Sequence, residues 1–188
     1  MHLYIGLVHY PVYNKNRERI ASAITTLDLH DMARLTRTYD IGKLFVITPL
    51  EDQQALAERV KRHWTEGYGS TYNQDRREAI ERICIVASLS QAVDSIIQIE
   101  GEAPLLIATD AAQQEDRAIS YEEARRVIQE ERVVVLLFGT AWGLDSEFIS
   151  QADHVLAPIT GRTNYNHLSV RTAAAIIIDR LVGTDFVR

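Results

Sequence analysis

Short apolar runs of strand length recur along the chain: Leu3–Val8, Leu44–Thr48, Ile83–Ala87, Pro104–Ala108, Val133–Phe138 and His154–Ala157. Between them lie stretches whose apolar residues return at helical spacing, over Arg19–Tyr39, Asp52–Trp64, Leu89–Ile99, Ser120–Glu130 and Ser169–Leu181. Strands that are apolar throughout, rather than alternating, are buried on both faces. Separated by helices, they predict an α/β fold with a mostly parallel sheet flanked by helices on both faces. Ser120 three residues before Glu123 is the pattern of a capping box and fixes one helix start. Three longer loops are expected, at 9–16, 67–75 and 158–167. They carry Tyr, Asn and Arg rather than only Gly and Ser, which favours a functional use.

The 188 residues suit a single domain, 1–188, large enough to bury a core without staples. Cys84 is the only cysteine, so neither an intrachain disulfide nor a cysteine-rich metal site is available. No apolar run approaches the roughly 20 residues a membrane helix needs. The N-terminus puts its apolar stretch before its basic residues, the reverse of a secretory signal. The expected setting is the cytoplasm. The net charge of −6 is, as a total, unsuited to nucleic acid, yet residues 100–131 hold nine acids against three arginines and account for all of it. The remainder is balanced and free to form basic patches, which decide phosphate binding more than the total does.

Several familiar chemistries are excluded. There is no GxxxxGK[ST], no GxGxxG after the first strand and no GxSxG, and the six histidines form neither HxxxH nor HxH. What remains lies in the last third. The strand Val133–Phe138 runs into Gly139-Thr140-Ala141-Trp142-Gly143; a second short strand leads to Pro158-Ile159-Thr160-Gly161; and Tyr165-Asn166-His167-Leu168-Ser169 opens an alanine-rich helix with Ser169 as its N-cap. Glycine turns at strand ends and a helix N-terminus, brought together, would face one small ligand with backbone donors.

This segment resembles the SPOUT superfamily, the α/β-knot RNA methyltransferases that use S-adenosylmethionine (AdoMet). The resemblance rests on Phe138-Gly139…Gly143-Leu144, on Asp153 followed by Pro158-Ile-Thr-Gly161, and on Asn166-His-Leu-Ser-Val170. Earlier, Asp31-Met-Ala-Arg-Leu-Thr-Arg37-Thr38 is similar to the superfamily's first motif, with Asp31 in place of asparagine and Ala33 in place of glycine. The motifs HYP at 9–11, HDxAR at 30–34, TYNQxR at 71–76 and YNHLSVR at 165–171 extend the likeness, to a stand-alone bacterial family of AdoMet-dependent RNA methyltransferases, over nearly the whole chain.

The resemblance implies a C-terminal trefoil knot, a homodimer with the active site near its interface, and AdoMet as cofactor with tRNA or rRNA as substrate, without a metal. It places the cofactor among Thr109, Gly139, Thr140, Trp142, Gly143, Leu144, Leu156, Pro158, Ile159, Gly161, Asn166, His167, Leu168 and Ser169. Arg34 and Asp31 would act at the acceptor, Arg34 through a phosphate relay or electrostatically, since a guanidinium with a pKa above 12 is a poor general base. His9, Tyr10, Asn14, Lys15 and Arg37 are the expected RNA contacts, with Tyr72, Asn73 and Arg76 as further candidates. A SPOUT-like module that binds nucleotide or RNA without transfer is the competing reading, raised by the departures at Asp31 and Ala33.

Overall fold

The computed structural model describes residues 1–163 and 165–184. In chain order the elements are β1 (Leu3–Val8), β2 (Val12–Tyr13), β3 (Arg19–Ile20), α1 (Thr26–Thr38), β4 (Leu44–Ile47) and α2 (Glu51–Thr65). There follow α3 (Tyr68–Tyr72), α4 (Gln74–Ile80), β5 (Ile83–Val86), α5 (Leu89–Glu100), β6 (Leu105–Thr109), β7 (Ala118–Ile119) and α6 (Tyr121–Gln129). The last are β8 (Val134–Gly139), α7 (Ser146–Ile149), β9 (His154–Leu156) and α8 (Val170–Val182). Seven strands form one sheet in the order β5-β4-β1-β8-β6-β9-β7, and every pair is parallel. All six apolar runs become strands of this sheet.

Side chains alternate across β1. Leu3, Ile5 and Leu7 enter a core shared with α1, α2, α4, α6 and α8, while Tyr4 and Val8 enter a second core under α5 and α7. The sheet is thus covered on both faces, as the uninterrupted apolar strands require. The Ser120–Glu123 capping box is present, with Ser120 accepting from the Glu123 amide and the Glu123 carboxylate accepting from the Ser120 amide. None of the helices described is long and apolar enough to cross a membrane.

Two expectations need correction. The helix predicted from Arg19 begins at Thr26, because Arg19 and Ile20 pair with Tyr13 and Val12 as a small antiparallel hairpin. Thr25 then caps the helix, accepting from the Asp28 amide. The loop predicted at 67–75 is largely helical: it contains α3 and the start of α4, which Asn73 caps by accepting from the Arg76 amide. The 158–167 segment contains no helix or strand among its described residues; Asn164 and residues 185–188 lie outside them.

Candidate functional site

β1, β8 and β6 end at nearly the same level, with Val8 opposite Gly139 and Ala108 opposite Leu137. The chain leaving β1 builds the sheet toward β5 on one side, whereas β6, β9 and β7 lie on the other. Connections diverging from that point leave a crevice over the carboxyl ends of the strands, where open α/β sheets bind ligands. A cleft of about 720 Å³ opens there, within the range of small-molecule sites. Four regions of chain line it: residues between 22 and 28, residues 109–111, residues 138–143, and Ile159 with residues 166–171, Ala173 and Ile177.

The wall from β8 is a tight turn in which the Gly143 amide donates to the Thr140 carbonyl (3.0 Å), with Ala141 and Gly143 both at positive φ (52° and 98°). A Cβ on Gly139 would lie 2.5 Å from the Leu144 nitrogen, so this position admits glycine alone. The β2–β3 hairpin clamps the turn from outside. The Trp142 amide donates to the Tyr13 carbonyl and the Tyr13 amide to the Gly143 carbonyl (3.0 Å each), and Arg19 Nε donates to the buried Asp145 (2.9 Å). Opposite stands the N-terminus of α8, capped by Ser169, whose hydroxyl accepts from the Thr172 amide (3.3 Å). Trp142 and His167 meet edge-on at 6.1 Å between these walls. Thr109 lines the third side and donates to the Leu137 carbonyl (2.9 Å). Asn166 donates to the Ala111 carbonyl (2.8 Å), tying the 158–169 segment to the loop after β6.

Beneath the cleft lies a polar chain of buried groups. His9 has no exposed surface; its Nδ1 hydrogen-bonds Ser22 Oγ (3.1 Å), which bonds Thr140 Oγ1 (2.5 Å), which donates to the Val8 carbonyl (2.9 Å). Burial pushes the His9 pKa down to about 4, against a smaller opposing pull from Asp28. The imidazole is therefore neutral at pH 7. Thr25 Oγ1 donates to Asp28 Oδ2 (2.6 Å), and Arg171 of α8 pairs with Asp28 (2.6 Å) and, by Nε, with Asp31 (3.2 Å). Asp28 and Arg171 both line the cleft. These are charged cleft residues that sequence reasoning missed. Asp28 sits a turn before the motif resembling the first SPOUT signature, and Arg171 closes YNHLSVR but carried no assigned role; only the packing of α1 on α8 joins them.

Of the expected cofactor residues, Thr109, Gly139, Thr140, Trp142, Gly143, Ile159, Asn166, His167, Leu168 and Ser169 lie around this cleft. Leu144, Leu156, Pro158 and Gly161 are not among its lining residues. Leu144 and Leu156 are core side chains, the first packed in the α5–α7 core and the second in the opposite one. Gly161 is exposed and Pro158 half-buried, while Ile159 between them turns inward. His9 as an RNA contact is corrected outright, since a side chain without exposed surface reaches no macromolecule. Asn14 is likewise committed: it accepts from the Asn16 and Glu18 amides and donates to Glu18, closing the hairpin turn. Lys15 is exposed at that turn, and Tyr10 is exposed. Arg34 is exposed on α1 but outside the cleft, and Arg37 is spent on Glu78 (3.0 Å).

An open parallel sheet with a cleft of backbone turns and a helix N-terminus over its carboxyl edge defines a class, the α/β proteins that hold a nucleoside-like ligand. Comparison narrows it. A family model described as SAM-dependent RNA methyltransferase matches residues 2–183, and the chain belongs to that family. A protein of Oleidesulfovibrio alaskensis named tRNA (guanine-N(1)-)-methyltransferase is 44% identical over 181 residues, covering 96% of this chain and 42% of its own length. The chain thus spans less than half of that relative. A protein of Aquifex aeolicus without an assigned function is 35% identical over 180 residues, 95% of this chain and 87% of its own. In fold the chain is similar to the SpoU methyltransferase AviRb from Streptomyces viridochromogenes (TM-score 0.61, 12% identity, 96% of this chain and 58% of the other).

Proposed function

We propose that this chain is one subunit of a knotted, cytoplasmic homodimer, a single domain over 1–188, that methylates a nucleotide of tRNA or rRNA with AdoMet held in the cleft. The observation that carries the reading is the cleft itself, where the Thr140–Gly143 turn and the capped start of α8 face each other over the end of β8. The residues fit the cofactor. An adenosine needs backbone donors and acceptors beside apolar walls, and the cleft offers the turn, the Asn166–Ser169 backbone, Ile159, Leu168 and Ile177. Bound there, AdoMet supplies an electrophilic methyl group on a sulfonium.

The chain's own residues must then orient the acceptor and take its proton. The Asp28 carboxylate holds the Arg171 guanidinium at the cleft and Asp31 takes its Nε, which leaves the other donors for a phosphate or a base carbonyl. Asp31, exposed beside Arg171, is the carboxylate we assign to receive the proton that the acceptor N–H or O–H loses as it gains the methyl. Arg34, one turn along α1, meets the RNA backbone electrostatically, and Tyr10 and Lys15 contact it from the hairpin side.

Two features support the wider assembly. The strand order places β9 between β6 and β7, the two strands that residues 110–117 join in sequence, an interleaving that supports a trefoil knot. Trp142, Tyr165 and Leu168 leave an exposed apolar rim at the cleft mouth, of the kind a second subunit covers. The guanine-N1 activity in the relative's name belongs to a protein more than twice as long, so the methylated atom is not carried across. Calorimetric titration with AdoMet, followed by transfer of tritiated methyl to total tRNA and to ribosomal RNA, tests the reading. About one AdoMet per chain and label in one RNA class are expected. AdoMet binding without label in either RNA would overturn it.

A further inference from the structure

Outside the cleft, the end of α2, α3 and the start of α4 present a surface that the methyl-transfer site does not use. Tyr68 and Tyr72, on α3, stack on each other (5.8 Å, 25° between rings) yet are 74% and 71% exposed. Arg59, Arg62, His63 and a single carboxylate, Glu66, border a shallow hollow of about 370 Å³, and the Arg76 guanidinium sits over the Trp64 ring at 4.6 Å. Among the described residues, none of Arg34, Arg59, Arg62 and Arg76 forms an ion pair, although the neighbouring Arg37 and Arg77 do. Burial pushes the His30 pKa down, and Arg76, Arg34 and His63 add to that against Asp31, so these groups lie close around His30.

Helix α1 joins this surface to the cleft. Asp31 reaches Arg171 on one flank, Arg34 follows one turn later, and His30 meets Trp64 edge-on at 5.4 Å on the other flank. From these residues we infer that the α2–α4 surface is a track for single-stranded RNA flanking the methylated nucleotide, with phosphates on Arg59, Arg62 and Arg76 and an unstacked base on the Tyr68–Tyr72 pair. The inference rests on the proposed RNA methyltransferase reading. Exposed aromatic faces beside unpaired guanidinium groups suit bases that have left a helix, whereas a duplex offers no free base face. A second copy of this chain is the competing occupant, and the oligomeric state of the tyrosine variant separates it from RNA.

Fluorescence anisotropy of a 5′-labelled, mixed-sequence 15-nucleotide RNA, titrated with the full chain across a salt series, tests the inference. The variants are Tyr68→Ala/Tyr72→Ala and Arg59→Gln/Arg62→Gln, each checked for unchanged AdoMet binding by calorimetry. The tyrosine variant is expected to lose about tenfold or more in affinity at an unchanged salt slope. The arginine variant is expected to flatten the slope of log affinity against log salt by about 1.4, at roughly 0.7 per phosphate. RNA affinity unchanged in both variants, while the wild type binds, overturns the track alone. A dimer-to-monomer shift in the tyrosine variant with RNA affinity intact overturns it in favour of a subunit contact. A wild type that binds AdoMet but no RNA overturns both the track and the proposed function.

Discussion

Lowering the pH from 7.5 to 5 should loosen the protein chiefly through His9. Its imidazole is fully buried under the cleft, and its pKa falls from 6.5 to about 4. The unfolded chain takes up a proton at His9 below pH 6.5, and the folded chain does so only near 4. Between those values the unfolded state binds more protons, so the stability contributed by neutral His9 is complete above 6.5 and is lost as the pH falls toward 4. At 1.36 kcal/mol per pH unit the whole effect is about 3 kcal/mol, of which about 2 kcal/mol is lost by pH 5. For a domain of this size that corresponds to a melting-temperature drop of roughly 4–8 °C. The assay is urea unfolding at pH 7.5 and 5.0 on the wild type and on His9→Gln, which keeps a donor and an acceptor but does not titrate. His30, also depressed, is common to both proteins and cancels. The wild type should lose about 2 kcal/mol more than the variant. Equal losses would refute the argument that burial holds His9 neutral.

Removing Arg171 leaves the Asp28 carboxylate, almost wholly buried, with Thr25 as its remaining side-chain partner. Arg171→Ala should cost about 2–3 kcal/mol, less than a fully buried pair because Arg171 is partly exposed. In calorimetric melting, Asp28→Asn combined with Arg171→Ala should recover at least half of that loss; strictly additive losses would show that the two residues are not coupled. Gly139→Ala drives a Cβ into the Leu144 backbone and should weaken AdoMet binding at least tenfold by calorimetry. Gly101→Ala, at φ 80° with open space around it, should cost about 1 kcal/mol and leave affinity unchanged. Ser169→Ala removes the cap of α8 and should lower stability by about 1 kcal/mol in urea unfolding; no change would mean the cap is dispensable.

The strands were legible because each is a block of apolar residues, and burial on both faces of a parallel sheet demands just that. The start of α1 was not legible, because the apolar spacing of Arg19 and Ile20 serves a hairpin whose partners, Val12 and Tyr13, lie elsewhere in the sequence. Helices α3 and α4 were hidden by GYGSTYNQD, whose turn-prone residues are used as caps: Asn73 ends one helix and begins the next. In the site, the turn at 139–143 and the N-cap Ser169 follow from local rules. Asp28 with Arg171 does not, because 143 residues separate the partners and only tertiary packing makes them neighbours. Burial misplaced His9 for the same reason: a histidine just past a strand reads as exposed unless Ser22 and Thr140 are known to lie over it.

The cleft draws its walls from residues near 22, 110, 140 and 170, nearly the whole length of the described chain. No shorter contiguous fragment holds all four walls, so the proposed cofactor site is completed only when the non-local contacts of the fold are complete. Such contacts form late, because loop-closure entropy must be met before they stabilise anything. A ligand seated there binds the native state and not its partly folded precursors, and the free energy of binding adds to global stability rather than to one loop. On the proposed placement, cofactor occupancy becomes a readout of finished folding: a chain that has not yet brought α8 against α1 would have nowhere to hold a methyl donor, and so no premature chemistry to suppress.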